Sequence, residues 1–283
     1  MTMSKNNNFK LPDFLVLGGM RCGSTTLYNA LKHHPGLFLP EQKELHFFDD
    51  RNDELGNDIE VYKRVFSTAT NDQLCAEVTP DYLSCLQSFQ GIKNTFHDLK
   101  CVVILREPIA RAISHYRLSV AAGFEVLSID DAFQQEKERL KNRNEIADIY
   151  HSYLERSQYL DGLQRYASVF GKRAIHVMFL EELNQDPYQS LNKLCEFLGI
   201  NTFSHEQATK LTRPTNTSEG LLSMQHSQLF KLKNKVLRLL APALSQQKPT
   251  QLALNDKSRQ KLEAHFFEQN RLLSKWLERD LPW

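Results

Sequence analysis

Residues 14–26 constrain this chain more than any other stretch. Phe14-Leu15-Val16-Leu17 is an uninterrupted apolar run, followed at once by GGMRCGSTT and then by the helical pattern Leu27, Tyr28, Ala30, Leu31. The helix has to stop at His33-His34-Pro35-Gly36, where proline and glycine punctuate. A short apolar run of this kind reads as a buried strand, so the unit is strand, glycine loop, helix. Gly18 and Gly19 permit a tight turn and close backbone approach. Ser24, Thr25 and Thr26 open the helix, whose first turn presents unpaired N–H groups and a positive dipole end suited to a phosphate. Gly18 and Gly23 have the spacing of a Walker A loop, but Ser24 stands where that loop carries lysine, and the cation is Arg21 inside the turn. The plainer alternative is an ordinary strand–helix connection with a serine cap. Arg21, Ser24 and two threonines together favour an anion site. Cys22 at the helix start is either an activated thiol or a small residue filling a tight turn.

Three further apolar segments read as strands: 74–78, 101–105 and 174–180. Between them lie helical patterns at 24–33, 84–97, 108–121, 130–143, 151–170 and 188–198. Strands alternating with helices predict an α/β fold with a central, mainly parallel sheet flanked by helices, and ligands at the carboxyl ends of the strands. Strand signals stop near residue 200. Arg213–Gly220 is a polar loop, and 223–240 and 256–277 read as helices, so the C-terminal part is helical and is expected to pack back on a single domain spanning 1–283, with 1–12 as a flexible N-terminus.

The net charge of +1 offers no global attraction for nucleic acid, so any anion site is local. The five cysteines, Cys22, Cys75, Cys85, Cys101 and Cys195, show no C-x-x-C pair, which argues against a zinc site or a disulfide framework and for a reducing compartment. MTMSKNNNFK lacks the apolar core of a signal peptide, and no window approaches eighteen apolar residues; a cytoplasmic protein without an integral membrane segment is expected. The basic stretch KLKNKVLRLL, 231–240, reads first as a solvated helix face and second as a contact for an anionic acceptor or membrane surface.

Two more stretches carry chemistry. In KELHFFDD, 43–50, Glu44 and His46 alternate with apolar neighbours, and in an extended segment i and i+2 share a face. They then form a proton-transfer pair near the loop's ligand, or else two solvated charges on a surface turn. In VVILREPIARAISHY, 102–116, a buried strand delivers Arg106 to its carboxyl end, Pro108 suits the first helical turn, and Ser114 follows eight residues after Arg106, about two helical turns on. Arg106 and Ser114 can grip a second phosphate; Arg111 and Arg117 lie on the same helix, Arg117 reading as solvated. Two anion sites at two strand ends imply a ligand with phosphates at two positions, such as a nucleotide bearing 5′ and 3′ groups. Tyr153, Arg156 and Tyr159 either line an acceptor cleft or pack in the core.

With these residues in place, the chain resembles the sulfotransferases that use 3′-phosphoadenosine 5′-phosphosulfate (PAPS), in particular the heparan-sulfate type, including its 3-O- and N-sulfating members. GGMRCGSTTL is similar to the family's 5′-phosphosulfate loop, with Arg21 where most members have lysine. VVILREPIARAISHY is similar to the 3′-phosphate segment, with Arg106 and Ser114 as the binding residues, and KELHFFDD to the segment bearing the catalytic glutamate, here Glu44 with His46 beside it. NRLLSKWLERDLPW is similar to the C-terminal helix of bacterial members. RPTNTSEG, with Arg213, stands in for the cofactor-closing loop, and no adenine-stacking aromatic is identified. The resemblance implies a P-loop-like three-layer fold and transfer of a sulfuryl group from PAPS to a hydroxyl or amine, leaving 3′-phosphoadenosine 5′-phosphate (PAP). Glu44 is then the base, with His46 orienting it, contacting the acceptor or acting as base itself. Arg21 stabilises developing charge; Cys22, Gly23, Ser24, Thr25, Thr26, Arg106, Ser114 and Arg213 bind the donor. The expected acceptor is a carbohydrate, small metabolite or lipid. A sulfuryl group bears less charge than a terminal phosphoryl, so the chemistry is expected without a metal. The competing readings are a P-loop nucleoside or sugar kinase, which wants the absent Walker lysine and a magnesium carboxylate, a non-catalytic nucleotide-binding protein, and, as a subclass, a decarboxylative sulfotransferase acting on a carrier-bound polyketide.

Overall fold

A computed structural model describes residues 9–211 and 251–283. Five strands, β1 (Phe14–Gly18), β2 (Leu37–Phe38), β3 (Leu74–Val78), β4 (Lys100–Leu105) and β5 (Ile175–Phe179), form one sheet in the order β2-β3-β1-β4-β5. Every pairing is parallel. All five residues of β1 are buried, as is the apolar run of β4, because a parallel strand covered on both faces has no polar side to show. The chain leaves β1 for the β3 side and returns to its other side as β4, so β1 and β4 flank the switch point where open α/β sheets hold ligands.

Ten α-helices are described: α1 (Ser24–Lys32), α2 (Ile59–Arg64), α3 (Leu86–Thr95), α4 (Pro108–Ala121), α5 (Ile129–Arg139), α6 (Tyr159–Phe170), α7 (Leu180–Gln185), α8 (Pro187–Leu198), α9 (His205–Leu211) and α10 (Asp256–Leu277). The α4 start follows local chemistry: Pro108 occupies the first turn and the Glu107 carboxylate accepts from the Ile109 amide at 2.9 Å. The main core surrounds the sheet; a second cluster joins Ile109, Ala112 and Tyr116 of α4 with Ile129 and Phe133 of α5 and Leu262 and Phe266 of α10. Farther along α10, Leu273, Trp276 and Leu277 reach the main core. None of the described helices is long and apolar enough to cross a membrane.

The strand and helix pattern expected from sequence is present, with differences that have physical reasons. The pattern read as one helix over 151–170 is broken: a π-helical turn ends at His151, a 3-10 turn occupies Glu155–Ser157, and α6 starts only at Tyr159. The break places the Ser157 hydroxyl to accept from Arg111 Nε at 2.7 Å, a tertiary bond that outweighs helical continuity. β2, α2, α7 and α9 are too short for periodicity to reveal. At the N-terminus, Lys10 Nζ donates to the Gln73 carbonyl at 2.9 Å and Leu11 packs against the core, so those two residues are anchored. Arg213, the polar loop around it, and the 223–240 stretch lie outside the described residues.

Candidate active site

The glycine loop leaves β1 under tight steric control. A β-carbon on Gly18 would sit 2.7 Å from the Pro80 carbonyl oxygen, and Gly23 has φ 96° with 2.6 Å between a would-be β-carbon and Leu180 Cδ1. Gly23 provides no side-chain cap for α1, so the first-turn amides face outward from the helix end. Among the described residues no acceptor meets the amides of Gly23, Ser24, Thr25 or Thr26, the arrangement that suits an anion. Ser24 is buried, Thr26 half-buried and Thr25 exposed.

Arg21 holds the turn's charge in a left-handed backbone conformation, φ 68°. Its Nε donates to Ser114 Oγ at 3.1 Å, and Arg106 donates to the Arg21 carbonyl at 3.5 Å. Sequence reasoning put Arg21 in one anion site and Arg106 with Ser114 in another; the fold joins them into one continuous basic surface at the ends of β1 and β4. Burial, then the charges of Arg106 and Arg111, push the Arg21 guanidinium below its ordinary value, against a smaller opposing effect of Glu44. Among the described residues neither Arg21 nor Arg106 has a carboxylate within ion-pair distance. Clustered arginines without a counter-charge fit a ligand that brings the negative charge itself.

Arg111 has a different task. It is fully buried, and besides Ser157 it donates to the Met20 carbonyl at 3.3 Å, to Tyr153 O and to His115 Nδ1. His115 donates through Nε2 to the Ile149 carbonyl at 2.7 Å, and burial with the nearby arginines holds it neutral. Arg111 thus ties the loop to α4 and to the 153–157 turn, while Arg117 on the same helix is exposed. Cys22 is fully buried and its thiol is pushed up to about 11, chiefly by burial, which fits the small space-filling residue and not an activated thiol. Tyr153 and Tyr159 are core residues: Tyr159 donates to the Arg106 carbonyl at 2.8 Å.

The KELHFFDD segment is not extended. Glu44 and His46 have φ 64° and 52°, left-handed conformations that cost a non-glycine residue about 1–2 kcal/mol each. Their backbone is imposed from both sides. The Glu44 amide donates to the Val78 carbonyl at the end of β3 (3.1 Å), and Asn52 Nδ2 holds the Leu45 carbonyl at 2.7 Å. Leu45, Phe47 and Phe48 are buried, with Phe47 stacked on Tyr62 at 4.4 Å. The Phe48 amide donates to the Tyr82 hydroxyl (3.3 Å), which donates to the buried Glu77 at 2.7 Å. Glu44 and His46 therefore come together by a route other than strand alternation: His46 Nε2 lies 3.8 Å from Glu44 Oε2.

Four groups that the sequence reading did not single out complete this side of the site. Lys43 pairs with Glu44 Oε1. Asp49 accepts from His46 Nδ1 at 2.8 Å and from Arg51. Arg51 reaches Asp81 at 3.4 Å, and Asp81 pairs with Arg156, which also touches Met20 Sδ at 3.4 Å. An ion-pair chain thus runs from the Glu44 carboxylate to the phosphate-type loop. Burial alone would raise the Glu44 carboxyl, but Lys43 and His46 hold it near about 2. Burial and Arg51 would lower His46, but Asp49 and Glu44 raise it to about 9. Asp49, three residues beyond His46 in HFFDD, had a local signal in the sequence; Asp81 had none, and Arg156, read from sequence as a cleft or core residue, instead pairs with Asp81.

Comparisons with known proteins point to one family. The sulfotransferase-domain family model matches residues 11–237. Heparan sulfate glucosamine 3-O-sulfotransferase 5 of Homo sapiens is 29% identical over 202 residues, covering 68% of this chain and 54% of that protein. The chain spans about half the length, or less, of the curated relatives it matches. A sulfotransferase from Alicyclobacillus acidocaldarius has the same fold, with TM-score 0.72, 24% identity, and coverage of 96% of this chain and 98% of that one. A mouse sulfotransferase, SULT7A1, solved in complex with PAP, aligns with TM-score 0.52 and 16% identity over 96% of this chain and 91% of its own. None of these relatives is a nucleoside or sugar kinase. A match over four-fifths of the sequence, on a sheet that brings the glycine loop to the arginine that follows β4, places the chain in the sulfotransferase family.

Proposed function

We propose that this domain transfers a sulfuryl group from PAPS to a hydroxyl or amine of an acceptor, with Glu44 as the base. The observation that carries the reading is the meeting of uncompensated Arg21 and Arg106 at the ends of β1 and β4, with the Glu44–His46–Asp49 array on the neighbouring end of β3. The amides and hydroxyls of Gly23–Thr26 hold the 5′-phosphate, and Arg106 with Ser114 takes the 3′-phosphate; Cys22 contributes its backbone only. For the 3′-phosphate to reach Ser114, the guanidinium of Arg21 gives up its present bond and turns toward the sulfuryl oxygens, where it stabilises charge on the bridging oxygen. Glu44 takes the acceptor proton as the acceptor oxygen or nitrogen bonds to sulfur and PAP departs. Asp49 holds the His46 tautomer and His46 orients the Glu44 carboxylate. The reading assigns no step to a metal.

The name of the human relative points to a carbohydrate acceptor, with small metabolites and lipids as the other classes. All five cysteines are unpaired, which fits a reducing, cytoplasmic setting. Isothermal titration with PAP and with ATP tests the donor: tight PAP and weak ATP binding is expected, and the reverse returns the kinase reading. A screen of acceptors with sulfur-labelled PAPS, followed by mass analysis, tests transfer; PAP binding without turnover would leave a non-catalytic nucleotide-binding protein.

A further inference from the structure

We infer that Lys43 is a lock on the base: its ammonium occupies one oxygen of the Glu44 carboxylate, and an anionic group carried by the acceptor draws it off. The inference rests on the reading of Glu44 as base. Both Glu44 oxygens face cations, Oε1 the ammonium of Lys43 and Oε2 the His46 ring at 3.8 Å. The Lys43 and Glu44 side chains are only 16% and 21% exposed, so water does little to weaken their pairing. A carboxylate so engaged is a poor proton acceptor, and one oxygen has to be released. His46 is held from behind by Asp49, which Arg51 grips in turn. Among the described residues, Lys43 has no partner besides Glu44. It also sits on a flexible four-carbon stem, so it is the cation that moves. A neutral hydroxyl does not compete with a carboxylate for an ammonium in such a place; a carboxylate or sulfate beside the target hydroxyl does. The favoured acceptor class is therefore anionic, and the lock keeps Glu44 from activating water while the acceptor is away.

The test is release of inorganic sulfate from PAPS without acceptor. In that side reaction a water oxygen bonds to sulfur and the bond from sulfur to the phosphate oxygen breaks. Its electron pair leaves on PAP, and the water proton passes to Glu44. Lys43→Met is expected to raise this release by about tenfold or more, the lower end of what general-base assistance supplies. Lys43→Arg should keep it low, and Lys43→Met combined with Glu44→Gln should return it to the wild-type level. PAP affinity, measured alongside, should be the same in all four proteins. Carbon-13 NMR of the Glu44 carboxyl should show it titrating higher in Lys43→Met than in wild type. Unchanged sulfate release in Lys43→Met overturns the lock. A fall in release, or a loss of PAP affinity, also overturns it, since Lys43 would then be serving the donor's sulfuryl oxygens. Wild-type protein that does not bind PAP would refute the donor assignment instead.

Discussion

Arg21 Nε and Ser114 Oγ, 93 positions apart in sequence, are joined by a 3.1 Å hydrogen bond across the ends of β1 and β4. One side chain belongs to the glycine loop and the other to the second turn of α4, so the bond ties together the two segments proposed to hold the 5′- and 3′-phosphates. In the proposed reaction a 3′-phosphate displaces this contact. Ser114→Ala should weaken PAP binding by roughly 10–100-fold, the loss of about one hydrogen bond to a charged group. Arg106→Ala should weaken it more, and the difference should narrow when adenosine 5′-phosphate, which lacks the 3′ group, replaces PAP. Equal losses for both nucleotides would remove these residues from the 3′-phosphate.

Glu44→Gln keeps the shape of the side chain and removes its basicity. Transfer should fall by about 10²–10⁴-fold with PAP affinity retained. Full turnover in this variant would hand the proton to His46, and His46→Gln, which should otherwise reduce kcat more modestly, would then be the inactive protein.

Arg21→Lys separates charge from geometry. Lysine restores a cation without the planar fork, so the bond to Ser114 is lost while attraction to the donor remains. The expected result is retained PAPS affinity with altered kcat, read from initial rates at saturating acceptor.

How far all this was legible in the sequence depends on the distance between the cooperating residues. The strand, glycines and helix of 14–32 are contiguous, and so are β4, Arg106 and the turns of α4 that carry Ser114; both stretches announce themselves. Glu44 and His46 were visible as a pair, but for a reason the fold does not use, since their left-handed φ angles are invisible to a period-two pattern. Arg156 illustrates the other limit. Its place depends on the break before α6, and its partner Asp81 sits on the exit loop of β3, 75 positions earlier. Only the closed sheet makes them neighbours.

Asp81 stands between Arg51 and Arg156 in the interior of that chain of charges. Asp81→Ala leaves Arg51 with Asp49 alone and, among the described residues, leaves Arg156 with no carboxylate in a mostly buried place, a defect worth about 3–5 kcal/mol. Chemical denaturation should show a lowered midpoint at neutral pH. A variant as stable as wild type would mean that solvent already screens the chain.

His46 and Glu44 should leave opposite marks on stability as pH changes. The His46 ring is raised from 6.5 to about 9, so its contribution is complete below about pH 6.5 and lost as pH rises through 9. Glu44 is lowered from 4.5 to about 2, so its contribution is complete above about pH 4.5 and lost as pH falls toward 2. The difference in melting temperature between wild type and His46→Gln should shrink across the alkaline window, and that between wild type and Glu44→Gln across the acid one. A difference constant with pH would show that the pair is not ionised as drawn.

Arg21, Glu44 and His46 all occupy backbone conformations that glycine adopts freely and other residues resist. At Glu44 and His46 the ionic contacts offset that strain near neutral pH, so glycine or asparagine there would relax the backbone and remove the contacts together. Asp50 and Glu278 share the left-handed conformation outside the proposed chemistry, so heat-selected glycine or asparagine is expected there first, and a heat-selected change at Arg21, Glu44 or His46 should be assayed for lost turnover.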